Sequence, residues 1–250
     1  MTRVLFALLL FTLPLAAQDT YDLASADEAM LAGDYPRAVR VLDSLERDGR
    51  VSPEFYLALG NARFELGRPG PAILAYERGL RLRPGNKDLR NNLRFVREEA
   101  GITTPELPDF FLLRWWRLLG ALLGTPVAYG ISMLFWWLAV AGFVWWFLRR
   151  GQMEEKRRFA LLPGALACAL LCGAFYALGS TRHTYLTADN EAVLISDATL
   201  RVAPTEEGSV EADLPQGYKL RITDRVNRFV KVSLPDGRQG YVTVGELEVI

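Results

Sequence analysis

The sequence predicts a multidomain membrane protein: an all-α repeat unit, two transmembrane helices and a small all-β barrel, in that order. Three observations carry this. Two long apolar runs flank the basic stretch RRGQMEEKRR at 149–158. Ahead of them, two passages align without gaps, with Gly33 and Gly67 in register 34 residues apart. Beyond Ala192 the chain breaks into short β-rich runs separated by turn clusters.

Composition narrows the function before any motif does. Half of the 250 residues are hydrophobic although 23 % are charged, so the apolar residues must be concentrated in segments. The 29 basic residues are balanced by 29 acidic ones, which leaves no electrostatic footprint for nucleic acid. With His183 the lone histidine, a histidine metal cage or a catalytic triad has nothing to draw on. No nucleophile, base and orienter assemble anywhere, so neither enzyme activity nor a cofactor nor a metal is expected. Cys168 and Cys172 lie one helical turn apart inside an apolar run, side by side, and read as small packing residues rather than a disulfide or a metal site.

Residues 1–17 read as a secretory signal peptide. Arg3 supplies the cation, Val4 to Leu15 the apolar core, and Ala16 and Ala17 the small residues before a cleavage point. The core is too short to span about 30 Å of hydrocarbon comfortably. Whether or not it is removed, the segment after it emerges outside the membrane.

Residues 19–101 form the repeat unit. LAGDYPRAVRVLDSL around Gly33 and ELGRPGPAILAYERGLRLRP around Gly67 share their small residues, Ala38 matching Ala72. On that period, and on Tyr56, Leu59, Gly60, Ala72, Tyr76 and Pro84, the segment resembles the tetratricopeptide repeat family, with Gly79 where alanine is usual. The first copy keeps Ala26, Gly33, Ala38 and Leu42 and lacks the early aromatic. NKDLRNNLRFVREEAG is similar to the helix that caps such arrays. The resemblance implies paired helices packed through Gly60 and Ala72, with Tyr56 and Tyr76 between repeats. It also implies a concave partner-binding face lined by Leu57, Asn61 and Phe64, suited to a peptide or a partner helix.

Residues 110–124, FFLLRWWRLLGALL and the glycine after it, set Arg114 and Arg117 among tryptophans and leucines, the pattern of a helix lying in a membrane interface. Thr125 and Pro126 then punctuate the run as helix-start residues. A helix over 126–148 is about 34 Å long, enough to cross a bilayer with slight tilt. The second transmembrane helix is expected over 159–180. Arg149, Arg150, Lys156, Arg157 and Arg158 mark the 149–158 loop between the two as cytoplasmic, because positive residues resist translocation. Trp145 and Trp146 beside it suit the headgroup level. Within the second span, Ala165, Ala169, Gly173 and Ala177 recur at every fourth position and form a smooth ridge for close helix packing, against the first span or against a second membrane protein.

Residues 190–250 supply five expected strands, AVLI, TLRV, YKLRITD, FVKVSL and GYVTV. Through LRVAP, LPQGYKLRI, RFVKVSLPDGRQGYV and GELEVI this segment resembles the bacterial SH3-like domain, with Tyr241 and Phe229 at positions where that family commonly carries tryptophan.

The order of the modules resembles the BatE proteins of the Bacteroides aerotolerance operon. That resemblance implies location in a bacterial inner membrane with both folded domains periplasmic, and membrane partners with von Willebrand factor A domains. It further implies a MoxR-type ATPase acting on the cytoplasmic side. Two functions follow as expectations: a non-enzymatic scaffold that assembles envelope proteins in an aerotolerance- or stress-related complex, or a peptidoglycan-binding anchor that recruits a cell-wall enzyme.

Overall fold

The computed structural model describes residues 20–102, 110–149 and 155–250. The expected signal peptide, 1–17, lies outside them, as do residues 150–154 of the expected basic loop.

Five short helices come first: α1 (Thr20–Leu31), α2 (Tyr35–Arg47), α3 (Pro53–Glu65), α4 (Pro69–Leu82) and α5 (Lys87–Glu99). Their starts are written locally. Asp34 accepts a hydrogen bond from the Arg37 amide, Ser52 from the Phe55 amide, and Asn86 from the amides of Asp88 and Leu89, each satisfying donors that the first helical turn leaves unpaired. Their ends repeat. Gly33, Gly67 and Gly101 all hold φ near +70°, and each closes the same pair of backbone bonds over the last turn of α1, α3 or α5. The 34-residue period therefore runs through three inner helices, and α5 occupies the inner position of a third unit. Consecutive helices pack as antiparallel neighbours where side chains are missing: a Cβ at Gly60 would overlap the Tyr76 ring, and one at Gly79 would lie 2.8 Å from Leu89.

Next come α6 (Phe111–Leu123), α7 (Thr125–Arg149) and α8 (Glu155–Thr187). The last two pair as a hairpin, and Thr125–Leu148 and Pro163–Thr187 are long and apolar enough to cross a membrane. Only 11 % of each apolar window is buried inside the molecule, so these are not core helices of a globular unit. Helix extends further than expected at both sides of the basic stretch, through Arg149 and from Glu155. At its other end α8 continues past residue 180 to Thr187, because tertiary contacts hold that last polar stretch.

The hairpin seam departs from the expected ridge. Ala165 lies on the seam, 3.7 Å from where a Cβ of Gly142 would sit, but Ala169, Gly173 and Ala177 are exposed and Gly173 has nothing within 4 Å. The seam instead uses Cys168, Cys172, Phe175 and Gly179. The Ser132 hydroxyl donates to the Cys172 carbonyl at 3.0 Å, Phe135 stacks on Phe175, and Gly179 admits the Tyr129 ring. The reason is geometric. A strict four-residue spacing drifts about 40° per step around an α-helix, whereas alternating steps of three and four stay under one partner.

The C-terminal sheet has seven strands: β1 (Glu191–Leu194), β2 (Ala198–Arg201), β3 (Val210–Leu214), β4 (Lys219–Val226), β5 (Phe229–Ser233), β6 (Gln239–Thr243) and β7 (Leu247–Val249). They pair antiparallel in the order β3-β2-β6-β5-β4-β1-β7. Two strands exceed the five expected. VEADL carries acids where alternation was sought, and LEV is too short to show any.

One apolar cluster joins the helices to the sheet. Ile73, Tyr76, Leu89, Val96 and Ile102 belong to the same buried cluster as Val193, Leu194, Leu200, Val232 and Val242. A second cluster, with Ala26, Leu42, Phe55, Leu59 and Ala75, fills the first helical pairs.

Candidate functional site

The inner helices bound a groove of about 360 Å³. Asn61 and Phe64 of α3 line it. Its other walls come from Met30 at the end of α1, Tyr35 at the start of α2, Tyr76 of α4, and Asn92 and Phe95 of α5. Leu57 is half-buried and packs against the main apolar cluster instead of lining the groove.

Its floor combines an amide pair with an aromatic pair. The Asn61 Oδ1 accepts from the Tyr76 hydroxyl at 2.8 Å and from the Asn92 Nδ2 at 2.8 Å. Burial pushes the Tyr76 phenol well above its ordinary range, so it remains a donor at any physiological pH. Phe64 and Phe95 meet edge to face, with ring centroids 5.7 Å apart. Phe95 is nonetheless 54 % exposed, an aromatic surface open to whatever enters. The sequence assigned α5 to capping alone and so missed Asn92 and Phe95. Phe95 stands 34 residues after Asn61, the repeat period, and that register was the available signal.

A second feature is the joint between α4 and the sheet. Gly70, Ile73, Glu77 and Arg81 recur at three- and four-residue steps on one face of α4, with Arg78 beside Glu77, and all of them meet other modules. A Cβ on Gly70 would lie 2.8 Å from the Leu194 carbonyl oxygen, and its amide donates to Gln216. Ile73 and Ile102 press against Gly217 in the β3–β4 turn. Glu77 receives Arg97 of α5 at 2.6 Å and Lys219 of β4 at 3.0 Å, and Lys219 also holds Glu191 of β1 at 3.0 Å. Burial alone would push the Glu77 carboxyl up, but Lys219 and then Arg97 outweigh it and hold the group below the usual carboxylate range. Lys219 shifts the opposite way: burial would lower it, and Glu77 and Glu191 raise it well above the usual lysine value.

Arg78 bridges Glu46 of α2 at 3.1 Å and Glu248 of β7 at 2.8 Å. Arg81 donates to the backbone oxygens of Tyr185, Ala188 and Ile250, gathering the end of α8 and the end of β7 onto α4. Arg182 returns the contact from α8 to the Leu82 carbonyl at 2.7 Å. Helices α1–α5 and the sheet after α8 are therefore one packed body, set on the same end of the hairpin.

Tyr241 and Phe229 lie outside this joint, half-buried on β6 and β5; Tyr241 pairs across from Arg201 and Lys231, and Phe229 from Thr243.

Neither a curated protein nor a solved structure matches the chain. Residues 196–248 match the family model of the bacterial SH3 domain, from the turn before β2 into β7. The chain thus carries a bacterial SH3 domain whose sheet shares its core with the helices ahead of it.

Proposed function

We propose that the protein is a non-enzymatic adaptor of a bacterial inner membrane, in which a tetratricopeptide groove and an SH3-like domain together hold envelope proteins on the periplasmic side. The observation that carries this is the α4 joint. Because the N-terminal helices and the SH3-like domain are packed together, the two segments flanking the α7–α8 hairpin emerge on one side, which is the arrangement the basic stretch at 149–158 calls for. The outward-facing apolar windows of α7 and α8 support a membrane span, and the exposed apolar stripe of α6, with Phe111, Trp115, Leu119 and Leu122, supports an interfacial position. The module order supports a BatE-like role in an aerotolerance or stress complex, with von Willebrand factor A domain proteins and a MoxR-type ATPase system as partners.

The SH3-domain match supports a second reading, an anchor that grips peptidoglycan peptides through the uncovered β5–β6 side and recruits a cell-wall enzyme. Deleting the domain does not separate the readings, since it would strip the shared core. Surface substitutions do. The scaffold reading expects Phe95→Ala to abolish partner recovery by crosslinking in intact cells while sedimentation with purified wall is unchanged. If Tyr241→Ala releases the protein from wall and Phe95→Ala loses no partner, the anchor reading replaces it.

A further inference from the structure

The groove also carries information about the charge of what enters it. Each of the three inner helices carries a carboxylate in its C-terminal half, on or beside the face that lines the groove. Glu65 lines the groove. Asp27 stands three residues before Met30 on α1, and Glu99 four residues after Phe95 on α5, within about 60° of those lining residues around their helices. All three are exposed, and among the described residues none takes part in an ion pair.

Their placement runs against helix electrostatics. Glu65 and Glu99 are the last residues of α3 and α5, where the backbone dipole disfavours negative charge. The neighbouring cations Arg63 and Arg97 are paired with Asp43 and Glu77, and Arg94 falls about 160° around α5 from the groove-lining Asn92. Among the described residues that line the groove Glu65 is the only charged one; Arg37 and Arg68, which open the outer helices α2 and α4 at this end, lie outside that lining, as Asp27 and Glu99 do. Glu65 and Glu99 occupy equivalent positions one 34-residue period apart, so neighbouring inner helices present them at about 10 Å spacing.

We infer that the groove binds a cationic, extended segment of a partner protein, with Lys or Arg at positions i and i+3 and an apolar side chain between them. In the polyproline II form of an extended chain the rise is about 3.1 Å per residue with three residues per turn, so side chains at i and i+3 project to one side about 9 Å apart, matching the spacing of Glu65 and Glu99. The apolar residue covers Phe95 and Phe64. The amide pair of Asn61 and Asn92 offers donors to backbone carbonyls passing over it. This rests on the adaptor reading and specifies the chemistry of its partner.

The test uses the full chain in detergent micelles, immobilised and exposed to a randomised octapeptide library, with the bound pool sequenced at low and high salt. The expected pool is enriched at least tenfold in Lys or Arg at i and i+3 around an aliphatic or aromatic residue, and the enrichment falls at high salt. In the Glu65→Gln, Glu99→Gln double variant, both positions being exposed, the basic preference disappears and the apolar preference persists. A pool enriched in Asp or Glu, a basic preference unchanged in the double variant, or no enrichment at all overturns the inference. Crosslinking in cells separates the two levels: partner loss in Phe95→Ala combined with an acidic or neutral pool sinks only the charge assignment, whereas no partner loss sinks the groove as the adaptor site.

Discussion

Glu77 shows how one residue ties the modules together. Its carboxylate is buried between Arg97 from its own helical unit and Lys219 from the sheet, and two cations against one acid are balanced by Glu191. Replacing it with glutamine leaves Arg97 and Lys219 short of their buried partner, which costs roughly 3 kcal/mol. The depressed carboxyl gives a signed pH dependence. Its contribution is complete above the ordinary carboxylate value of 4.5 and is lost as pH falls through the lower folded-state value. Lys219, raised above its ordinary 10.5, contributes fully below that value and loses its contribution only in stronger alkali. Denaturant melts of the full chain between pH 3 and pH 9 check the acid step. The native chain is expected to hold a plateau above pH about 5 and weaken below it, while Glu77→Gln starts lower and lacks this acid step. Equal stability of the two at pH 7 would remove the network from the account.

Among elements, α8 separates two uses of small residues. Gly179 lies in the seam, where an added Cβ would come within 2.9 Å of the Tyr129 ring, while Gly173 faces outward with nothing near it. Gly179→Leu should therefore lower the thermal stability of the purified protein, by about 1–3 kcal/mol of overpacking, and Gly173→Leu should leave it unchanged. The reverse order would mean that the fourfold ridge, not the alternating seam, carries the hairpin. The sequence displayed the fourfold ridge and could not place the seam, since Ala169, Gly173 and Ala177 are small residues like the Cys168, Cys172 and Gly179 that pack. The N-terminal helices were more legible. Their caps are local, and the period visible at Gly33 and Gly67 continues to Gly101 with the same backbone closure. Strands β3 and β7 were illegible because they rely on neighbours already in place, not on their own alternation.

At the scale of the molecule, the SH3 domain is fastened rather than tethered. Gly70, Ile73, Glu77, Arg78 and Arg81 give α4 a full face to other modules, and Arg182 secures the end of α8 to α4. A protease site introduced at Asp189, between α8 and β1, tests this directly. After cleavage in mild detergent the C-terminal fragment should co-elute with the helical fragment, and should separate once Glu77 and Arg78 are both replaced by alanine. Free elution of the C-terminal fragment from the otherwise native chain would make the joint a weak contact.

Taken alone, the sequence settled the helical character of the N-terminal segment, the two apolar windows and the β character of the C-terminal segment. It could do so because caps, turn glycines and apolar periodicity act within a few residues of backbone. Tertiary structure alone decided that the helices and the SH3 domain share one core, that Asn92 and Phe95 complete the groove of Asn61 and Phe64, and which face of α8 packs. Those outcomes depend on pairs such as Gly70 with Gln216, 146 residues apart, and Arg182 with Leu82, 100 apart. No local pattern encodes such a meeting, because each partner is an ordinary surface residue until the fold removes water from between them.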